Sequence, residues 1–493
     1  MRRFMQLLLS LSLVLSSLFV FVSAAGAESK FKITEDPVIA ERVKAFADIK
    51  AMFTDKPDLA AIKKFYVEKF QTEVKRVEAV IKADDPKIDA SIMLVVDSAI
   101  KGDLPAGSAK QAIDKGLQWY FYFALRDLIS TVVRPAMTSG DLAAATKGFD
   151  KVIQLYEGVL LSTVEKRDLK YSIDMVSTLK GNLEQLQADI AGGKTDDFNA
   201  HRQILDKTLI KTYALATYTY AESIPTKAPA DLPAAITEGY FLYMPVYTYL
   251  RGGGTAEANL ILNAFANADM TKLNKQTIGD ALQLTMVGKV NEYFKQVSTK
   301  LEAGDLPGAR GYVMEGLMFL STQEVFFGPD KYKAILTLAE QFIQAVDNKN
   351  LAEAERIGFQ LLTYNAEKEG IQLKLNSVDY KVDGKAAVAE NAPFLSLETS
   401  RTLAPVRLIA EALKAVVSYD DATQTVKIAK DGKTTELVVG SADVIQDGIV
   451  NDKVKLDQPV LIQNGSSFIP LRAITELFGK RVFYYDGSII VGR

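Results

Sequence analysis

The chain has 493 residues, 48% hydrophobic and 24% charged, with a formal net charge of −3; that balance is globular rather than disordered, and the length suits about three domains. There is no cysteine and one histidine, His201, which excludes disulfide scaffolds, iron–sulfur clusters, thiolate zinc, His-cluster metal centres and cysteine nucleophiles, and leaves little room for a Ser-His-Asp triad. The slight acidity gives nucleic acid no electrostatic footprint, and no cofactor or metal is expected.

Residues 1–27 read as a secretory signal peptide. Arg2 and Arg3 form its positive start, Leu7 to Val22 is apolar apart from serines, and Ala25-Gly26-Ala27 supplies the small residues of a cleavage site. The apolar run is slightly short for a spanning helix, and no later segment reaches a spanning length. The mature chain is therefore expected to be secreted or held at the cell surface, with no membrane span after cleavage.

Residues 28–370 are expected to be all-α. After Asp141, the residues Ala145, Phe149, Val152, Ile153, Tyr156 and Leu160 recur at three- and four-residue spacing, with Lys147, Asp150, Lys151 and Gln154 opposite. That is an amphipathic helix of five or six turns. A turn motif recurs at Asp58-Leu59, Asp103-Leu104, Asp141-Leu142, Asp231-Leu232 and Asp305-Leu306, and more loosely at Asp197, Asp269 and Asn350. Gly102, Gly140 and Gly304 precede three copies; Pro105, Pro233 and Pro307 follow three. Gly closes a helix, Asp caps the next one, and Pro is tolerated in its first turn. The spacing predicts eight degenerate helical hairpins, stacked as an α-solenoid or folded into bundles. The turn vaguely resembles that of tetratricopeptide-type repeats, whose Trp, Gly and Tyr positions are missing here.

Several residues invite a ligand reading. Trp119-Tyr120-Phe121-Tyr122-Phe123 covers every face of a helix, so it must meet two packed neighbours or a ligand, with Trp119 and Tyr120 as platform candidates. Glycines follow Glu157, Glu238 and Glu315 and mark close helix approach, since glycine inside a helix costs about 1 kcal/mol relative to alanine. The three glutamates are expected on solvated faces; Glu157, on the flank of its apolar stripe, is the candidate for a carboxylate cation site. Gly252-Gly253-Gly254 lacks the Lys and Ser/Thr of a phosphate loop and reads as a flexible turn. His201 is expected at the surface or in a capping role.

From 371 to 493 the pattern changes to short alternating segments such as Gln372–Leu375, Thr425–Ile428 and Glu436–Val439, with hairpin turns at Asp383-Gly384, Asp431-Gly432 and Asn464-Gly465. Two helix-like stretches repeat at an offset of 65 residues: Pro405 with Pro470, Arg407 with Arg472, Ile409 with Ile474, Glu411 with Glu476, Val417 with Val482, Tyr419 with Tyr484. Each half parses as strand, helix opened by Pro, strand, giving a small α+β domain of two tandem strand-helix-strand half-repeats. Pro405 and Pro470 start the helices. Arg407 and Glu411, like Arg472 and Glu476, lie four apart and are expected to pair along the helix as structural residues.

This duplicated pattern resembles the copper amine oxidase N-terminal-like domain, or stalk domain, over roughly 380–493. Lys414 departs from it where the family usually has Gly, and Tyr485 where it often has Asp. The resemblance implies an accessory, presentation or adhesion module, common in exported proteins of Gram-positive, spore-forming bacteria. It does not imply copper: the amine oxidase catalytic domain uses three histidine ligands and a tyrosine-derived quinone. No catalytic residue carries over.

The expectation is an exported, non-enzymatic surface or cell-wall-associated protein with a helical binding or scaffold region and a C-terminal stalk-type module. Its expected partner is a cell-wall polymer or another surface protein. Two alternatives stay open: a binding protein for a cation or small ligand through carboxylates of the helical region, and a cell-wall glycan hydrolase using a carboxylate pair.

Overall fold

The structure, a computed structural model, describes residues 31–493; the signal peptide expected at 1–27 lies outside them. The chain divides into two compact units. One takes in the described chain as far as Lys289 together with Asp305–Leu336; the other is Val290–Gly304 with Thr337–Arg493. The layout is multidomain, all-α followed by a strand-rich α+β region.

The helices run α1 (Pro37–Ala51), α2 (Leu59–Tyr66), α3 (Thr72–Val77), α4 (Ile88–Lys101), α5 (Ala106–Leu128), α6 (Arg134–Ser139), α7 (Leu142–Leu155), α8 (Leu161–Tyr171), α9 (Met175–Ala191), α10 (Thr195–Ser223), α11 (Leu232–Gly253), α12 (Thr255–Ala266), α13 (Lys275–Glu302), α14 (Leu306–Ser321), α15 (Glu324–Phe327), α16 (Pro329–Asp347) and α17 (Leu351–Lys368). Single π-helical turns at Val67–Gln71, Ile129–Val133 and Tyr156–Leu160 join α2 to α3, α5 to α6 and α7 to α8 as continuous rods. The second of these precedes Pro135, which has no N–H to give.

The turn chemistry holds in part. Asp58, Asp141, Asp305 and Asn350 each accept a backbone N–H of the helix they open, and Gly102, Gly140 and Gly304 are left-handed at φ 88°, 78° and 73°. Two copies do not cap: Pro105 rather than Asp103 occupies the position before α5, and Asp231 precedes α11 without a side-chain hydrogen bond to it. Asp197 lies inside the first turn of α10, and Asp269 binds Thr271 in a turn.

Eight stacked hairpins do not form. In the helical unit α5 packs along α11, more than a hundred residues away, and α10 packs on α9, α11 and α14. Stacked repeats would touch only their sequence neighbours, so this unit is a bundle around α5, α10 and α11. Burial explains their composition. Trp119 to Phe123 are all buried because α5 is surrounded, and α10 is buried on most of its faces between Phe198 and Thr217.

The Gly252–Gly254 segment is not a flexible turn. Gly253 ends α11, and a Cβ on it would lie 1.8 Å from the Thr285 carbonyl oxygen. Glycines after Glu157 and Glu238 do mark close approach: a Cβ at Gly158 would be 2.8 Å from Val43, and at Gly239 2.2 Å from the Phe265 ring.

In the second unit, fourteen strands form three sheets with orders β13-β14-β1-β2-β3, β10-β9-β8-β7-β6 and β11-β12-β5-β4. They are β1 (Ile371–Lys374), β2 (Asp379–Val382), β3 (Lys385–Val388), β4 (Phe394–Ser396), β5 (Arg401–Pro405), β6 (Val416–Asp420), β7 (Thr425–Lys430), β8 (Lys433–Val438), β9 (Asp443–Gln446), β10 (Ile449–Lys455), β11 (Leu461–Gln463), β12 (Ser466–Pro470), β13 (Arg481–Tyr485) and β14 (Ser488–Gly492). Helices α18 (Val406–Ala412) and α19 (Leu471–Leu477) follow β5 and β12. Asp383-Gly384, Asp431-Gly432 and Asn464-Gly465 have positive φ at both residues, the geometry of tight hairpin turns.

The repeat is built around a local two-fold. β5 pairs with β12 so that Ala404 faces Ile469, its own counterpart at offset 65, and both are fully buried. Each half is longer than a strand-helix-strand unit: β1 to β7 corresponds to β8 to β14. The halves exchange strands, since β1–β3 complete a sheet with β13 and β14, while β8–β10 complete one with β6 and β7. Their shared core includes Leu373, Ile409, Ile428, Leu437, Ile474 and Ile489.

Candidate functional site

The residues singled out from sequence lie in three settings. Trp119 and Tyr120 are core: 1% and 0% exposed, with Trp119 edge-on to Phe123 and Tyr120 beside Phe70 and Phe121. They offer no ring face to a surface ligand. Glu157, Glu238 and Glu315 are half-buried rather than solvated. Glu238 faces Lys115 at 3.4 Å because α11 packs along α5. Among the described residues no three Asp, Glu or His side chains are placed to share a metal ion.

His201 is neither superficial nor a cap. It is 3% exposed, and its Nδ1 lies 2.6 Å from the fully buried Asp189 carboxylate, which also accepts from Gln185. His201 lies on one of the enclosed faces of α10, among the residues buried between Phe198 and Thr217.

In the duplicated module, Pro405 and Pro470 stand directly before α18 and α19 and are buried. Arg407, Glu411, Arg472 and Glu476 are exposed, and among the described residues neither Arg–Glu pair closes into an ion pair. Arg ahead of Glu is the weaker order for such a pair, and an exposed one is worth only about 0.3–0.5 kcal/mol. Lys414 adopts the left-handed φ of 61° that its counterpart Gly479 has at 66°, so the turn survives the substitution. Tyr485 replaces an Asp role. Asp420, its counterpart, folds a four-residue turn by accepting from Ala422 and Thr423. Tyr485 instead packs near Phe359 at 6.1 Å and leads into the two-residue Asp486-Gly487 turn.

The same sheet carries a groove of about 480 Å³. Register places Gln372 opposite both Ile490 and Lys381, Lys374 opposite Ser488, and Asp379 opposite Val388. These side chains share one face of the sheet, because alternate residues point the same way, while Ile371, Leu373, Ile489 and Val491 point into the core. Helix α17 lies against β1, β13 and β14 and adds Phe359 and Thr363 as a wall. Lys374, Asp379 and Lys381 are exposed, Val388 is 72% exposed, and the Gln372 amide nitrogen is buried without a hydrogen-bond partner. An aromatic wall, two ammonium groups, a carboxylate and a free amide donor suit a polar chain with apolar faces.

Residues 363–491 match the family model for the copper amine oxidase N-terminal domain. The matched stretch begins within α17 and runs through β14, so it spans the groove's sheet and both halves of the repeat. It is the accessory domain of those oxidases, not the catalytic one. The helical remainder stays unassigned. No curated protein and no solved structure matches the chain.

The groove was not read from the sequence, although one signal for it was there. The alternation in Ile371–Lys374 and Asp379–Val382 places Gln372, Lys374, Asp379 and Lys381 on one side. It gave no sign that α17 would wall it, since that needs the exchange that pairs β1 with β14.

Proposed function

We propose that the protein is an exported, non-catalytic, cell-wall-associated protein whose C-terminal module holds a wall polymer in the groove beside α17, while the helical bundle serves as scaffold. The observation that carries the reading is the groove itself, furnished with hydrogen-bonding and charged groups beside the unpartnered Gln372 amide nitrogen. The apolar leader and the match to an accessory domain support it. Its lining holds one carboxylate, Asp379, rather than the pair that glycan hydrolysis uses, which suits retention better than turnover.

The test is co-sedimentation of the mature full-length protein with purified, insoluble cell wall. The wild type pellets with the wall, and Lys374→Glu with Lys381→Glu leaves the protein folded but in the supernatant, because both side chains are exposed. Failure of the wild type to pellet, or release of cleaved glycan, would refute the reading.

A further inference from the structure

The helical unit holds a second feature, independent of the groove. Arg167, on α8, is 8% exposed, its Nε has no hydrogen-bond partner, and among the described residues no carboxylate reaches ion-pair distance of it. A guanidinium carries five N–H donors and cannot shed its charge, so burying one unpaired is costly.

Its surroundings are also rich in cations. Lys115, on α5, is 8% exposed and bridges Asp114 at 2.7 Å and Glu238 at 3.4 Å. Lys50, on α1, reaches Asp114 at 3.2 Å from a half-exposed position, and Gln118 donates to Asp114 at 3.1 Å. Lys166, next to Arg167, is exposed. Two carboxylates thus face four cations, arranged from the surface at Lys50 and Lys166 to the interior at Lys115 and Arg167. Asp114 and Glu238 are already engaged by Lys115. The Tyr220 hydroxyl interacts with Glu238, and Tyr171 donates to Thr219 or Leu215. The electrostatics agree: the Lys115 charge, then burial, pushes the Lys166 amine down, and burial pushes the Arg167 guanidinium down.

We propose that this cluster is a binding site for an oxyanion, a carboxylate or phosphate group that enters past Lys166 and is held by the Arg167 guanidinium. Arg presents a planar fork that matches both groups, and the excess positive charge at the mouth favours entry. Bound anion supplies the counter-charge that the fold leaves out, so it binds the folded state and stabilises it.

The experiment follows thermal unfolding of the full-length mature protein at low ionic strength, titrated with inorganic phosphate in one arm and succinate in the other, at matched ionic strength against chloride. The wild type is expected to show a saturable rise of several degrees in one or both arms, and the stronger arm identifies the group. Arg167→Met keeps the length of the side chain without its charge; it should fold, melt no lower than the anion-free wild type, and lose the anion-dependent rise. Lys166→Gln, at an exposed position, should fold normally and raise the half-saturating anion concentration severalfold. No saturable rise in either arm, or an equal rise in Arg167→Met, overturns the proposal. Should Arg167→Met fail to fold, an unchanged half-saturation in Lys166→Gln overturns it instead.

Discussion

Gly253 and Gly288 meet backbone to backbone. A Cβ on Gly288 would lie 1.8 Å from the Gly253 carbonyl oxygen, so α11 and α13 cross at a distance that only hydrogen permits on either side. Gly288→Ala is therefore expected to destabilise the helical unit by about 3 kcal/mol, at the severe end of overpacking. Gly311→Ala is the control: it lies inside α14 with open space around it and should add about 0.5–1 kcal/mol from helix propensity. Denaturant melts of both variants check the pair.

Asp206 is the hub of a buried charge network. Its carboxylate takes Arg126, Lys207 at 2.8 Å and the Tyr122 hydroxyl at 3.0 Å, and Arg126 lies over the Tyr249 ring. Burial alone would raise its pKa; Arg126 and then Lys207 outweigh burial and hold the carboxyl well below the usual range. Asp206→Ala would strand the buried Lys207 and the half-buried Arg126 and is expected to cost about 3 kcal/mol. Adding Arg126→Met should recover part of that loss, measured by a double-mutant cycle.

Lys414 holds a left-handed turn that Gly479 holds in the other half. A non-glycine residue there carries roughly 1–2 kcal/mol of strain, offset by the greater unfolded-state freedom of glycine. Lys414→Gly is expected to stabilise the duplicated module by about 0.5–1 kcal/mol, and Gly479→Lys to destabilise it by a similar amount. Chemical denaturation checks both.

Two carboxyls give opposite pH responses. Burial lifts Asp168 to about 6, although it accepts the Met175 and Val176 N–H groups. The folded state therefore keeps a proton that the unfolded chain releases near pH 4. Its contribution is complete below that pH and is lost as pH rises through about 6. Asp168→Asn should gain stability relative to wild type between pH 4 and pH 7. Glu369 behaves in reverse. Burial opposes ionisation, but Arg493 and Lys480, the latter at 2.7 Å, hold its carboxyl below the ordinary value. Its contribution is present above the unfolded value near 4.3 and is lost as pH falls. The penalty of Glu369→Gln should be large at pH 7 and vanish in acid. Unfolding curves at stepped pH distinguish the two.

Local signals were legible in the sequence. The offset of 65 residues fixed both Pro-started helices, and the Asp-Gly and Asn-Gly pairs fixed the hairpins, because turn geometry depends on a few adjacent residues. Asp58, Asp141, Asp305 and Asn350 marked four of the helix starts, two of them behind a left-handed Gly. The His201 reading failed for the same reason that the solvated glutamates did: an amphipathic pattern reports which face is apolar, not what stands opposite it.

By itself the sequence determined that the first region is helical, that the tail is duplicated, and which chemistries lack their residues, since these follow from composition, periodicity and short-range stereochemistry. Only the tertiary structure decided that α5, α10 and α11 close into a bundle, that the two halves trade strands about Ala404 and Ile469, and that Arg167 is left without a carboxylate. Those depend on pairings between residues far apart in the chain, where no local pattern specifies the partner and packing alone selects it.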